Sequence, residues 1–387
     1  MKKEIDYNVV VLGEEHYNPL GVVRTLGEAG INPTVVVKRS MSSRITSQSR
    51  YIGELHFVDT YEEGVDWIVD KFCRCVNKTI IIPTDDIAVS CLETRYEELS
   101  DMFVFNNAGK DGRISFFQNK EKIYELADKH GMRIAQTWHV KKGYLPNDIE
   151  YPVITKPIRP YADWKSDYYV CNNEDELIIA YSKIGGGSEL LLQRYVDKVT
   201  ERTYEGCAVD KGRDVLFSIE ARYTYTLPDY YSMEMVVSNP TDEDVMHSLR
   251  KMLAEIGYEG IFEVEFMEDG DGKLWFLEIN FRNSTWSWAS TKVGMPLPVI
   301  WIKGMMEENI SKNVIRKVPK GFRALAEQPD FFFRVRREKM ISLFEWLKLV
   351  KTADCLYFYD PSDKKPCFVS WMYVMGGFVK RKLKLSK

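Results

Sequence analysis

The feature that most constrains the fold is residues 260–283, whose sequence is GIFEVEFMEDGDGKLWFLEINFRN. Two runs rich in aromatic and β-branched residues, 260–267 and 273–279, flank Glu-Asp-Gly-Asp-Gly, which is a strong signal for a β-hairpin turn. The apolar side chains of both runs predict two well-buried antiparallel strands. Acidic groups on buried strands require a partner, so this hairpin is expected to carry chemistry.

Three polar residues of the hairpin are expected to share one face. Glu278 and Asn280 are two positions apart, so their side chains project from the same side of a strand. Pairing across the hairpin can bring Glu265 to that side as well. Two carboxylates and an amide oxygen suit Mg²⁺, which water and phosphate oxygens usually complete. Arg282 continues the alternation, so its guanidinium is expected beside the metal. The alternative is an ordinary exposed hairpin that carries acidic residues and binds no metal.

The first 115 residues predict a parallel α/β sheet. Apolar runs at 7–12, 34–38 and 79–82 are typical of strands buried on both faces, and a helical stretch ending at Gly30 separates the first two. Strands that alternate with helices indicate a parallel arrangement. Gly13 follows the first strand without the G-x-G-x-x-G spacing, which argues against a dinucleotide site.

From residue 116 the pattern changes to amphipathic helices and shorter strands. Helices are predicted at 119–130 and 242–256, and strands at 151–155, 190–196, 204–209 and 215–225. We therefore predict an N-terminal α/β domain (1–115), a two-lobed domain (116–310, with lobes of about 116–190 and 191–310) and a basic C-terminal extension (311–387).

The net charge of −4 hides a strong asymmetry along the chain. Residues 311–387 have a net charge of +11, whereas residues 1–310 have a net charge of −15. Within the tail, the apolar stretch 367–379 is too short to span a bilayer and precedes a cluster of lysines and arginine. Such a tail suits either an interfacial anchor on an anionic membrane or a helix docked on the acidic body.

Several features bear on location and partners. No apolar run approaches the ~20 residues of a membrane span, and the N-terminus lacks a signal-peptide core. Seven cysteines without a framework spacing fit reduced thiols. The cytoplasm is therefore expected, with the protein either free or peripheral at the inner face of the membrane. No nucleic-acid partner is expected, and the sequence leaves open both a monomer and a homo-oligomer.

Two upstream lysines are candidates for phosphate binding. Lys120 begins a helix, where backbone N–H groups also favour phosphate, and Lys156 ends a buried strand. Taken singly, each lysine is more commonly a solvated surface charge.

Farther along the chain, exposed backbone groups at a strand end are suited to hydrogen-bond a base, and Glu201 follows at a distance suited to ribose hydroxyls. The base-binding candidates are Gln193, Arg194, Tyr195 and Val196.

The order of these features resembles the ATP-grasp superfamily over about residues 1–300. In that family a helix-opening lysine matches Lys120 and a strand-end lysine before proline matches Lys156. The resemblance implies an N-terminal α/β domain before a two-lobed ATP-grasp fold, with ATP and Mg²⁺ (or Mn²⁺) as cofactors. It also implies an adenine hinge at 193–196, a ribose contact at Glu201, and a phosphate-side arginine at Arg282. The implied metal ligands are Glu265, Glu278 and Asn280.

The resemblance further implies a reaction. ATP phosphorylates a substrate carboxylate, and an amine attacks the acyl phosphate to give an amide, ADP and phosphate, while Lys156 and Arg282 hold the transferring group. An amino acid is expected as one substrate. A weaker similarity to the D-aspartate ligase group implies a cell-wall precursor as acceptor. The alternatives are a non-catalytic ATP-binding module, or another carbon–nitrogen or carboxylase-type ligase of small-molecule metabolism.

The chain departs from the family pattern in two places. Residues 157–165 contain no glycine where many members have a glycine-rich phosphate loop, so either Arg159 or Lys165 replaces it or the nucleotide is held more loosely. Glu263 occupies a position where some peptide-forming members carry an arginine.

Candidate substrate contacts lie on either side of the hairpin. Residues 220–238 are expected to fold over the cleft, with Arg222 gripping a substrate carboxylate. Asn283 and Ser284 follow the metal strand and are candidate substrate contacts, although helix capping explains them equally well.

Overall fold

The computed structural model describes residues 7–40, 43–158, 168–185, 187–227, 232–306, 309–310 and 315–374. Within these residues the chain forms three sheets of five, four and seven strands. The domain boundaries drawn from the sequence stay a prediction.

The first sheet is entirely parallel, with strand order β3-β2-β1-β4-β5. Its central strand has the sequence VVVLGE and is buried along nearly its whole length, because helices cover both faces. The predicted parallel α/β domain is therefore confirmed. The strands are β1 (Val9–Glu14), β2 (Thr34–Lys38), β3 (Glu54–Val58), β4 (Thr79–Pro83) and β5 (Phe103–Val104). The helices are α1 (Tyr17–Glu28), α2 (Tyr61–Phe72), α3 (Asp86–Glu93), α4 (Tyr96–Leu99) and α5 (Arg113–Phe117).

The second sheet is small and antiparallel, with strand order β6-β9-β7-β8. It has its own hydrophobic core, in which Val153 and Leu190 pack against Leu177 of its helix. The helix α6 (Lys120–Lys129) precedes this sheet in the chain. The elements of the small sheet are β6 (Thr137–Lys141), β7 (Val153–Lys156), β8 (Val170–Cys171), α7 (Glu174–Lys183) and β9 (Glu189–Arg194).

The third, central sheet has the strand order β14-β13-β10-β11-β12-β15-β16 and is antiparallel except for its last pair. The predicted hairpin is present as β13 and β14, while β10 begins six residues earlier than the sequence pattern suggests. Gly257 ends α8 at φ +76°, a conformation that favours glycine. The elements are β10 (Lys198–Val209), β11 (Asp214–Tyr223), β12 (Glu234–Ser238), α8 (Glu243–Ile256), β13 (Gly260–Asp269), β14 (Leu274–Asn280), α9 (Ser287–Lys292), α10 (Leu297–Met305), β15 (Phe322–Leu325) and β16 (Cys355–Leu356).

The C-terminal part of the chain is joined to the first domain by a buried arginine. Arg24 of α1 donates from Nη1 to the Tyr357 carbonyl at 2.8 Å and from Nε to Asp363 Oδ2 at 3.1 Å. Asp363 also accepts from the Ser49 hydroxyl at 2.8 Å. This segment therefore packs between the central sheet and the first domain. Its helices are α11 (Glu327–Asp330), a π-helical stretch (Phe331–Arg337), α12 (Leu343–Thr352) and α13 (residues 365–374).

The described residues contain no helix long and apolar enough to cross a membrane. The basic cluster predicted as an interfacial anchor falls within residues 375–387, which lie outside the described residues.

Candidate active site

The residues predicted as metal ligands meet on one face of the central sheet. Glu265 pairs with Glu278 across the β13–β14 hairpin, and Glu263 pairs with Asn280, so these side chains project to the same side. Asn280 Nδ2 donates to Glu265 Oε1 at 2.8 Å and to Glu263 Oε2 at 3.1 Å. The structure thus brings two carboxylates and an amide together, with a third carboxylate beside them.

Lys120 reaches this acidic face from α6. It is the first residue of the helix, which begins after the capping residue Asn119. Its Nζ lies 3.8 Å from Glu278 Oε2 and 3.5 Å from the Tyr168 hydroxyl. Burial opposes the charge of Lys120, but the Glu278 carboxylate together with Tyr124 and Tyr168 outweighs burial and raises the lysine pKa. Lys120 is therefore fixed as a cation at the edge of the carboxylate set.

Lys156 approaches the same place from the end of β7. Its Nζ donates to Gln193 Oε1 at 2.6 Å, and the Gln193 amide donates in turn to the Thr137 hydroxyl at 2.9 Å. Burial, and after it the nearby charge of Lys120, lowers the pKa of Lys156 to about 7. Two lysines with opposite pKa shifts therefore lie next to one set of carboxylates.

The predicted base-binding segment lies at the end of β9. Gln193 is buried and holds Lys156 through its side chain. The backbone N–H of Arg194 donates to the Gln136 carbonyl and that of Tyr195 to the Pro152 carbonyl, both at 2.8 Å. A base bound here would therefore use other groups of the segment, and the hinge at 193–196 stays a prediction.

Glu201 lies inside β10, on the face that carries the acidic set. It forms an ion pair with Lys198, whose backbone N–H donates to the Val196 carbonyl at 2.8 Å. Its charge is one of the causes that raise the pKa of Glu265, after burial and the nearer carboxylates. The predicted ribose contact thus adjoins the predicted metal set.

Arg282 connects this face to the first domain. Its Nε donates to Asp86 Oδ2 at 3.2 Å, and its Nη1 lies 3.6 Å from Glu263 Oε2. Asp86 begins α3 directly after β4, at the carboxyl edge of the parallel sheet. Burial and the Arg282 charge lower the pKa of His16, at the end of β1, to about 4. His16 is therefore neutral, and its Nδ1 accepts from the Asn18 backbone at 3.2 Å.

Solved structures share this architecture, whereas no protein-family model and no curated protein matches the chain. N5-carboxyaminoimidazole synthetase from Staphylococcus aureus matches with a TM-score of 0.65 at 14% identity, over 86% of this chain and 88% of that one. L-amino acid ligase from Bacillus licheniformis matches with a TM-score of 0.60 at 12% identity, over 80% and 78%. The biotin carboxylase domain of Hydrogenobacter thermophilus 2-oxoglutarate carboxylase, solved with MgADP, matches with a TM-score of 0.63 at 19% identity, over 84% and 76%. The chain has the ATP-grasp fold.

The face of the central sheet that carries these carboxylates contains a further acidic residue that the sequence pattern did not indicate. Glu205 lies on β10 directly opposite Glu263, and it accepts a hydrogen bond from the Ser284 hydroxyl. Burial, and then the Glu263 carboxylate, raise the pKa of Glu205. Glu201, Thr203 and Glu205 alternate along one strand, so a two-residue period would have identified this face once β10 was known to begin at Lys198.

The structure corrects the prediction for Arg222 and for residues 220–238. Residues 220–223 and 234–238 belong to strands β11 and β12 rather than to a cover over the cleft, and residues 228–231 lie outside the described part of the chain. Arg222 pairs with Arg202 across the ladder, on the side opposite the carboxylates, and its Nε donates to Glu268 at 2.9 Å. It is therefore not placed to grip a substrate at this site.

The prediction of substrate contacts at Asn283 and Ser284 is also corrected. Both are fully buried. Asn283 Nδ2 donates to Asn18 Oδ1 at 2.6 Å, and the Ser284 hydroxyl accepts from the Trp286 backbone at 2.9 Å. These side chains hold the first domain and the turn after β14 in place. The two candidates for the phosphate loop, Arg159 and Lys165, lie outside the described residues.

Proposed function

We propose that this chain is an ATP-dependent carboxylate–amine ligase that forms an amide bond through an acyl-phosphate intermediate. The ATP-grasp fold supports this proposal, since it is shared with an L-amino acid ligase and with enzymes solved in complex with ADP. The observation that carries it is the meeting of Lys120, from α6, and Lys156, from the small sheet, with the carboxylates of the central sheet. Cations on one side and carboxylates on the other define a place for a metal-bound polyphosphate.

The donor set fits Mg²⁺. Burial raises the pKa of Glu265 well above its ordinary range, and the carboxylates of Glu278 and Glu263 add to this effect. Such crowding of buried acids is relieved by a divalent cation. Glu265, Glu278 and Asn280 would hold it, and it would neutralise charge on the transferring phosphate when bound. Phosphate and water oxygens would complete the coordination, as they usually do for Mg²⁺ in proteins.

The charged residues around the carboxylates have different roles in the proposed reaction. Lys156 and Lys120 bind phosphate oxygens, and Glu201 contacts the ribose. Arg282 faces the carboxyl edge of the first sheet, where it stabilises negative charge that develops on the substrate carboxyl during phosphoryl transfer and amine attack. Burial opposes the Arg282 charge, but Asp86, Glu263 and Glu265 raise its pKa, so the guanidinium is a permanent cation.

The substrates of the proposed reaction are a small carboxylate and an amine, one of them an amino acid. The similarity to an amino acid ligase supports this choice. A cell-wall precursor as acceptor and a cytoplasmic location stay predictions from the sequence, which leaves the oligomeric state open.

ADP release tests the proposal directly. The protein is incubated with ATP, Mg²⁺ and a panel of amino acids, singly and in pairs, and then with cell-wall precursor peptides. ADP formed only when a particular carboxylate and amine are both present establishes the ligase. Glu278→Gln is expected to abolish this turnover, whereas Asp271→Asn, at an exposed position in the same hairpin, leaves it intact. Tight ATP binding without turnover on any pair or peptide would indicate the non-catalytic module instead.

A carboxylase-type ligase is the second candidate. Several of the matching structures are biotin carboxylases, and one was solved with bicarbonate. Bicarbonate is therefore offered in the same panel in place of the organic carboxylate. ADP release that depends on bicarbonate and an amine, and on no amino acid carboxylate, would select this candidate.

A further inference from the structure

Two helices of the C-terminal segment expose large apolar side chains. On α12, Leu343 is 53%, Phe344 80% and Leu347 52% exposed. On α13, Phe368 is 60% and Met372 65% exposed. Single exposed apolar residues are ordinary, but five on two neighbouring helices mark an interaction surface. We name these five residues the apolar patch.

The orientation of both helices is fixed by tryptophans on their inner sides. Trp346 of α12 and Trp371 of α13 pack against Phe331, with ring centroids 5.1 and 5.7 Å apart. The capping box of Ser342 and Glu345 fixes the first turn of α12. The patch therefore faces away from the packed core, because the same helices already use their other side for the fold.

The charges beside the apolar patch select the kind of partner. Exposed lysines lie on α12 and at the start of α13, while the one acidic residue of α12, Glu345, is held in the capping box. A second copy of the chain docked patch to patch would bring these lysines against one another, which is unfavourable. An anionic lipid surface offers both apolar depth and negative headgroups. The lysines are Lys348, Lys351, Lys364 and Lys365.

We propose that α12 and α13 dock this chain on an anionic membrane surface, with the apolar patch entering the interface and the flanking lysines contacting lipid headgroups. The arrangement matches that of interfacial helices, in which aromatic and aliphatic side chains lie next to lysines. The inference rests on the exposed helices and not on the proposed ligase activity. A failure of one therefore leaves the other standing.

Vesicle sedimentation with the full-length protein tests this proposal. Binding is expected to vesicles of phosphatidylcholine with phosphatidylglycerol, and not to phosphatidylcholine alone, and it is expected to weaken as salt is added. Lys348→Glu with Lys351→Glu is expected to weaken binding by about 30-fold or more, since each lysine near an anionic surface contributes about 1 kcal/mol. Leu343→Ser, Phe344→Ser and Leu347→Ser together are expected to weaken it by at least about tenfold.

A matched control is available on the small sheet. Ile178 and Ile179 of α7 are each 51% exposed, so Ile178→Ser with Ile179→Ser removes comparable apolar surface elsewhere and should leave binding unchanged. Unchanged melting temperatures show that the variants fold. Absence of binding to anionic vesicles, or full binding by the α12 triple variant, overturns the proposal. Dimerisation that the triple variant abolishes, without vesicle binding, overturns it in favour of a second copy as the partner.

Discussion

ATP binding by this chain is expected to take up a proton at Lys156. In the free protein, burial lowers the pKa of this lysine from 10.5 to about 7, with the charge of Lys120 acting in the same direction. A phosphate bound against Nζ supplies the countercharge that Gln193, a neutral partner at 2.6 Å, does not. Binding should therefore return the lysine to its charged form.

The size of this effect follows from the pKa. With a pKa of about 7, roughly a tenth of the Lys156 side chains are charged at pH 8, so binding takes up about 0.9 of a proton per ATP. At pH 6 the lysine is already charged and the uptake is about 0.1 of a proton. The dissociation constant should then rise about tenfold for each pH unit above 7. In the free protein the fold gains stability as the pH rises from 7 towards 10.5, since the unfolded chain retains a proton that the fold releases.

Isothermal titration calorimetry measures this uptake. Titrations of ATP with Mg²⁺ at pH 6 and 8, in buffers of different ionisation enthalpy, give the number of protons bound. Lys156→Met removes the titrating group and should remove the difference between the two pH values. Lys120→Met is a second test: Lys120 is itself charged with or without nucleotide, but its charge helps lower the pKa of Lys156, so this variant should keep the proton uptake and move it to higher pH.

Two results would contradict proton uptake at Lys156. Equal proton uptake at pH 6 and 8 in the unmodified protein would show that Lys156 is already charged before ATP binds. A pH-dependent uptake that survives in Lys156→Met would show that a group other than Lys156 takes up the proton.

Three further outcomes are expected. Glu265→Gln should raise the melting temperature of the free protein or leave it unchanged, because Glu265 is a buried acid with a raised pKa, whose contribution to stability falls as the pH rises through that pKa. The same variant should no longer be stabilised by Mg²⁺ with ATP. A lower melting temperature of the free variant would contradict the first expectation. Arg222→Ala should leave the KM of every substrate unchanged in the ADP assay, because its partner Glu268 lies on the far face of the sheet; a raised KM would restore it to the site. Arg24→Met should cost about 3–5 kcal/mol in urea unfolding by leaving Asp363 buried without its arginine, and a cost below about 1 kcal/mol would contradict the burial argument.

The hairpin of the candidate active site could be predicted because its determinants are local. The turn residues, the apolar runs and the two-residue period that joins Glu278 to Asn280 all lie within a short stretch of sequence. The parallel arrangement of the first sheet, though not its strand order, could be predicted for the same reason, from apolar strands that alternate with helices. Glu205 was missed because its place opposite Glu263 depends on pairing between strands some 50 residues apart.

The predictions of substrate contacts at Asn283, Ser284 and Arg222 were wrong for a different reason. Asn283 is bonded to Asn18, 265 residues earlier in the chain, and no local pattern reveals such a contact. For Arg222, alternation along β11 gives two opposite faces, but the register with β10 decides which of them carries the carboxylates. Polar residues near a predicted site can therefore serve either the chemistry or the joints between domains, and tertiary contacts decide which.

The buried contact of Arg24 with the C-terminal segment bears on which part of the molecule can move relative to the rest. One continuous core contains Leu26 of α1, Ile219 of the central sheet and Tyr357 of the C-terminal segment, so these parts form a single rigid base. The small sheet has a separate core around Leu177. We therefore expect any closure of the cleft to move the small sheet, and the separation between its Lys156 and the carboxylates of the base would report that movement.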